Sequence, residues 1–194
     1  MKKLLSLTFL FVLFSSQAQY AIKNLEGYSP QMGALISMLD DLKGRVEWHV
    51  KDLDQEGTDF LLDDQANRLG ALILHLAATE VYYQRATFYD EKLDENEDAE
   101  WLTALRLGDK AREELQGKPI SYYLDKWEEV RAKTKEVLKT KNDEWLLQLR
   151  DSAPGGAEYN YYWAWYHVME HQANHMGQIS LVKKRMKDDT ENDY

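Results

Sequence analysis

Apolar residues recur at spacings of three and four along four long stretches of the chain, a period that a helix satisfies and a strand does not. The first stretch opens at Ser29-Pro30, where a proline in the first helical turn loses no hydrogen bond. It carries Leu35, Met38, Leu39, Leu42, Val46 and Val50. A turn is expected around Gly57-Thr58. The second stretch runs from about Asn67 to Tyr89, with Leu69, Leu72, Leu76, Val81 and Phe88 in packing register. Near its start it is apolar almost all round, the pattern of a buried central helix. The third begins after Pro119 with Ser121 as its cap and passes through Trp127, Val130, Val137 and Leu138. The fourth runs from about Tyr159 to Lys187.

Residues 91–120 form a long charged connection, with one short helix expected around Trp101 to Leu107. Asn142-Asp143 breaks the third helical pattern, Trp145 to Leu149 reads as strand-like or irregular, and Pro154-Gly155-Gly156 breaks the chain before the fourth helix. Four long helices with one extended link predict an all-α fold, an antiparallel four-helix bundle with a long crossover connection. Neither an internal repeat nor a sustained heptad is present, so a coiled coil is not expected.

Residues 1–18 read as a secretory signal peptide. Lys2 and Lys3 form a charged start, Leu4 to Phe14 an apolar run, and Ser16-Gln17-Ala18 a small-residue cleavage site. The expected mature protein is therefore exported, periplasmic or secreted, and begins near Gln19. Its bundle domain occupies residues 19–187, and residues 188–194 read as a disordered acidic tail. Removing Lys2 and Lys3 leaves 22 basic residues against 34 acidic ones, a formal charge of about −12. Such a surface disfavours nucleic acid. No run in the mature chain is apolar and long enough to span a membrane. The sequence has no cysteine, so a metal would have to be held by histidine and carboxylate.

Three of the five histidines lie in the stretch His167-Val-Met-Glu-His171-Gln-Ala-Asn-His175, each four residues from the next. Four residues advance a helix by about 400° and roughly 6 Å, so neighbours share a face. An i, i+4 histidine pair is a standard way to present two imidazoles to one ion. His167 and His175 are too far apart to share one, which leaves either 167/171 or 171/175. A third ligand must come from another helix. His75, which follows Ala71-Leu72-Ile73-Leu74, is the natural candidate, because a buried imidazole needs a partner or a metal. The plainer alternative makes His75 a satisfied core residue and the other three one face of a helix. Glu80 and Glu170 should point away from the ion, and there is no HExxH to supply a general base. His49 reads as a surface or packing residue, and the aromatic run from Tyr159 to Tyr166 mostly as core.

The segments His75-Leu-Ala-Ala-Thr-Glu80 with Tyr82-Tyr83, and His167 through His175 with Met176-Gly177-Gln178, resemble the DinB-like superfamily. That superfamily includes bacterial thiol-dependent S-transferases and maleylpyruvate isomerases. The resemblance implies an up-down-down-up bundle, often dimeric, with a metal held by one histidine of the second helix and two groups of the last. By motif position these are His75, His171 and His175. Met176 departs from the arginine often found there in the family. Thr79, Tyr82 and His167 are then candidate pocket residues.

Three neutral imidazoles leave a divalent ion open to water or substrate. Zinc or nickel suits them best, with iron, copper or manganese as alternatives. The expected function is a metal-dependent enzyme acting on an unidentified small molecule, either a hydrolase or a thiol S-transferase, with water or a thiol as the activated nucleophile. Export would separate it from the cytoplasmic thiols that the resemblance implies, which gives hydrolysis at least equal standing. The other reading is a non-catalytic metal- or ligand-binding bundle.

Overall fold

The four periodic stretches become four long helices in a computed structural model that describes residues 21–150 and 158–191. They are α1 (Pro30–Val50), α3 (Leu69–Gln84), α6 (Ile120–Leu138) and α8 (Tyr161–Glu191). Shorter helices lie between them: α2 (Gln55–Asp59), α4 (Ala99–Arg106), α5 (Gly108–Glu114) and α7 (Asp143–Leu146). Strand β1 (Leu149–Arg150) pairs antiparallel with β2 (Tyr159–Asn160). Residues 1–18, expected to be a signal peptide, the Pro154-Gly155-Gly156 breaker and the last three residues fall outside the described part. No described helix is long and apolar enough to cross a membrane.

Helix directions follow from which residues touch. Gly70 lies against Tyr123, while Gln84 donates to Val130 O and Thr134 Oγ1, so α3 and α6 run parallel. His75 meets His171 and Tyr83 meets His167, so α8 runs antiparallel to α3. Asp40 reaches Arg131 and Lys135, whereas Lys43 reaches Glu128, so α1 is antiparallel to α6. The order is up-down-down-up. Two successive long helices in the same direction require a link that travels the length of the bundle, and α4 and α5 are that link. Leu107 and Gly108, with φ of 54° and 75°, turn the chain between them. Gly108 tolerates this conformation; Leu107 is held in it.

Helix α3 is the hub and packs against α4, α6 and α8. Every residue from Leu69 to Val81 is buried. Its neighbours supply the apolar lining, including Tyr123, Trp127, Ile179 and Val182. A second apolar cluster joins α1, α7 and α8 through Met32, Ile36, Leu39, Leu146 and Trp165. Phe88 stacks on Trp165 at 5.2 Å, and Trp145 stacks on Tyr161 at 4.2 Å. Tyr161, Tyr162 and Trp165 thus face inward, while Trp163 and Tyr166 stay exposed.

One polar knot lies inside this core. Glu80, fully buried, accepts from Arg131 Nε at 2.9 Å, Arg131 Nη2 at 3.0 Å, Trp127 Nε1 at 3.2 Å and Thr134 Oγ1 at 2.5 Å. Arg131 Nη1 continues to Asp40 at 3.2 Å, and Gln172 closes the group from α8. All four long helices therefore meet at one buried ion pair.

Several expectations need correction. Gly57 and Thr58 lie within α2, whose start is capped by Asp54 accepting the Gly57 N–H at 2.8 Å. Helix α6 starts at Ile120, so Ser121 sits inside its first turn and is not its cap. The crossover holds two helices. The 145–149 stretch divides between α7, capped by Asn142, and β1. The second long helix widens into a π-helical turn over Arg85–Tyr89. Helical backbone continues past Lys187 to Glu191, into the stretch read as tail.

Removing Arg131 strands the Glu80 charge in the core. Arg131→Met should cost about 3–5 kcal/mol in urea unfolding at neutral pH. Adding Glu80→Leu to it should recover much of that loss, because no lone charge then remains. A single-variant loss below about 1 kcal/mol would deny the knot a structural role.

Candidate metal centre

Antiparallel packing of α3 on α8 sets one imidazole opposite two. His75 projects from the buried middle of α3, and His171 and His175 project from successive turns of α8. Their ring centroids form a near-equilateral triangle, 4.8 Å for 75–171, 4.7 Å for 75–175 and 4.6 Å for 171–175. One ligand nitrogen from each lies within 4.8 Å of the other two.

The outer nitrogens decide which lone pairs point inward. His75 Nδ1 lies 2.9 Å from Ala104 O, which can only accept, so Nδ1 carries the proton and Nε2 is the bare nitrogen. That carbonyl belongs to α4, so the crossover orients the first histidine. His175 Nδ1 lies 2.9 Å from Gln178 Oε1 and donates to it in the same way. His75 Nε2 approaches His171 Nε2 to 2.7 Å. Metal-binding histidines characteristically donate the other ring N–H to a carbonyl or carboxylate. The donor set thus fits a divalent ion: three imidazoles, two of them locked in the tautomer that ligation needs.

Electrostatics keep the trio neutral. Burial pushes His75 down to about 4, helped by His175 and opposed by the carbonyls of Ala104 and Leu105. Burial also lowers His171 to about 4, with His175, His75 and His167 adding to it. His175 is lowered too, chiefly by burial, with Gln178 working the other way. Neutral imidazole is the ligating form.

The remaining candidates are placed as follows. His167 stands one turn from the trio, its ring 5.8 Å from His171 and stacked on Trp163 at 5.3 Å. Its Nδ1 lies 3.3 Å from Glu170. Thr79 is buried and its hydroxyl donates back to His75 O at 2.9 Å, so it is engaged with the helix backbone. Tyr82 is 39% exposed and meets Tyr83 edge-on. Glu80 points away from the histidines, into the knot with Arg131. His49 sits beside Trp48, remote from the trio, and its carbonyl accepts from Lys183. Two supporting groups have no sequence signature of this role: Ala104 O, a backbone atom 29 residues away from His75, and the Arg131 partner of Glu80.

The lowered imidazoles give the metal-free protein a pH dependence of definite sign. Above the ordinary histidine value of 6.5 both folded and unfolded chains hold these rings neutral. Below it the unfolded chain takes up protons that the fold refuses, so stability falls as pH drops from 6.5 towards about 4. Thermal unfolding of chelated protein across this range should show that decline, and His75→Gln should flatten it. An unchanged slope in the variant would contradict the burial argument.

Comparison with known proteins follows the same lines. The profile of the family described as mycothiol-S-transferase matches residues 34–188. No curated protein matches the chain. Among solved structures, YfiT from Bacillus subtilis is similar, with a TM-score of 0.61 and 16% sequence identity over 85% of this chain and 93% of that one. YfiT is described as a probable metal-dependent hydrolase with an unusual four-helix bundle topology. At that identity the likeness speaks for the fold. By the profile match, and with the up-down-down-up bundle in agreement, the chain belongs to the mycothiol-S-transferase family of the DinB-like superfamily.

Proposed function

We propose that this protein is a metal-dependent enzyme that holds one divalent ion, zinc or nickel, with His75, His171 and His175, and activates a nucleophile against a small-molecule substrate. The observation that carries the proposal is the convergence of three neutral imidazoles whose outer nitrogens, on His75 and His175, are already committed to acceptors. When bound, the ion would supply Lewis acidity and ease deprotonation of a water or a thiol. Ala104 O and Gln178 Oε1 hold the two rings in their ligating tautomers. His167 is the nearest further imidazole. With Glu170 at its Nδ1, its Nε2 is the atom placed to exchange a proton with a reacting group.

Two nucleophiles fit this site. Membership of the mycothiol-S-transferase family favours a thiol, and the likeness to YfiT, a probable metal-dependent hydrolase, favours water. We also propose that the chain acts outside the cytoplasm, on the strength of residues 1–18. N-terminal sequencing of exported material, expected to start at or beside Gln19, tests this. Such a location favours water, because a small-thiol cosubstrate is scarce there.

Metal content and turnover test the proposal together. Purified protein should carry about one equivalent of metal, and His75→Ala, His171→Ala and His175→Ala should each weaken binding by at least about tenfold. Ester, amide and thiol-transfer substrates should be turned over by the loaded protein and not by the chelated one. A triple variant that keeps its metal would refute the site. Metal without metal-dependent turnover would favour a binding bundle over an enzyme.

A further inference from the structure

The antiparallel pairing of α3 and α8 that brings the histidines together also determines what lies beside them. Moving from the trio towards the start of α8, the stripe at four-residue spacing reads His171, His167, Trp163. Moving the same way along α3, the chain presents Tyr82 and Tyr83, and β2 adds Tyr159. These rings touch in sequence: Tyr82 on Tyr83 at 5.2 Å, Tyr83 on His167 at 5.9 Å, His167 on Trp163 at 5.3 Å, and Trp163 on Tyr159 at 5.7 Å. The ring planes of His167 and Trp163 are almost parallel, with 2° between them, and so form one continuous stack.

This is not buried core. Trp163 is 43% exposed and Tyr82 39%, whereas Trp165 and Phe88 take the inward positions. Trp163 keeps 43% of its surface exposed although His167 stacks on it and Tyr159 meets it edge-on, so indole surface remains open to a ligand one turn beyond His167. The three phenols are near enough to act on one another electrostatically, and burial raises Tyr83 to about 12, with Tyr82 and Tyr159 adding to it. Tyr83 and Tyr159, which burial also raises, therefore remain protonated. Among the described residues none of their hydroxyls makes a hydrogen bond, so they are donors available to an acceptor on a ligand.

We propose that the shelf formed by Trp163, His167, Tyr82, Tyr83 and Tyr159 is the substrate's recognition subsite, and that it takes an aryl group carried several bonds away from the reacting carbon. The inference rests on the three-histidine reading of the site. The distance sets the spacer: Trp163 precedes His171 by eight residues, roughly 12 Å along the helix, which a ring attached directly to the reacting carbon does not span. Stacking on Trp163 supplies affinity, and the phenols favour a substrate with an acceptor oxygen in the linking segment.

Two arms separate this proposal from the metal reading. With zinc-loaded protein, calorimetry compares 4-phenylbutyrohydroxamate with butyrohydroxamate, which has the same metal-binding head and no ring. The aryl compound should bind about tenfold more tightly. Trp163→Ala should abolish that preference while metal content stays the same, and Trp163→Phe should retain most of it. With metal-free protein, saturation-transfer NMR of 4-phenylbutyramide should show transfer to the ring protons in the wild type and none in Trp163→Ala. Absence of ring transfer in the wild type overturns the shelf, whatever the hydroxamates do. An aryl preference that survives Trp163→Ala also overturns it. Ring transfer from the amide without binding of either hydroxamate leaves the shelf standing and removes the metal reading. Self-association abolished by Trp163→Ala, with no aryl preference, assigns the surface to a second copy and overturns the proposal.

Discussion

A carboxylate buried among four helices must be neutralised where it stands, and the rest of this bundle is arranged around that requirement. Glu80 is met by Arg131, Trp127 and Thr134 from one helix, while Arg131 and Gln172 extend the group to the remaining two. A buried ion pair is a poor source of net stability compared with well-packed apolar residues. It is a strong constraint on register, because a shift of one residue in α3 or α6 separates Glu80 from Arg131 and leaves both charges unpaired. The site inherits that constraint. Glu80 and His75 share α3, and Gln172 is the neighbour of His171, so the knot and the histidine trio fasten the same pair of helices from different faces.

The parallel direction of α3 and α6 has a similar reach. It obliges the chain to travel back along the bundle through α4 and α5 before α6 can begin. That crossover is part of the site, because Ala104 O at 2.9 Å chooses the His75 tautomer. A direct hairpin between α3 and α6 would make them antiparallel and would dispense with α4. Topology and ligand orientation are one arrangement.

Much of this was legible in the residues. The four helices followed from apolar spacing, and the i, i+4 histidines from the geometry of a helix face. Spacing alone left 167/171 and 171/175 open, because both pairs satisfy the same period; only the depth at which α3 crosses α8 brings His75 opposite 171 and 175. The family resemblance pointed to that pair, and the packing brings the same residues together. Glu80 was read as facing away from the ion, but its partner Arg131 lies 51 residues on and has no local signature. The Gly57-Thr58 segment looked like a turn because glycine is a poor helix former, whereas the Asp54 cap supports a short helix there. Two-residue strands and a backbone carbonyl carry no composition signal at all.

The central claim is that one ion sits among His75, His171 and His175, and anomalous diffraction from metal-loaded crystals at the absorption edge of the bound metal tests it most directly. A single peak within about 2.0–2.1 Å of one nitrogen from each of the three rings is expected for zinc. A peak that takes His167 in place of His175, or that lies among carboxylates away from the trio, would contradict it.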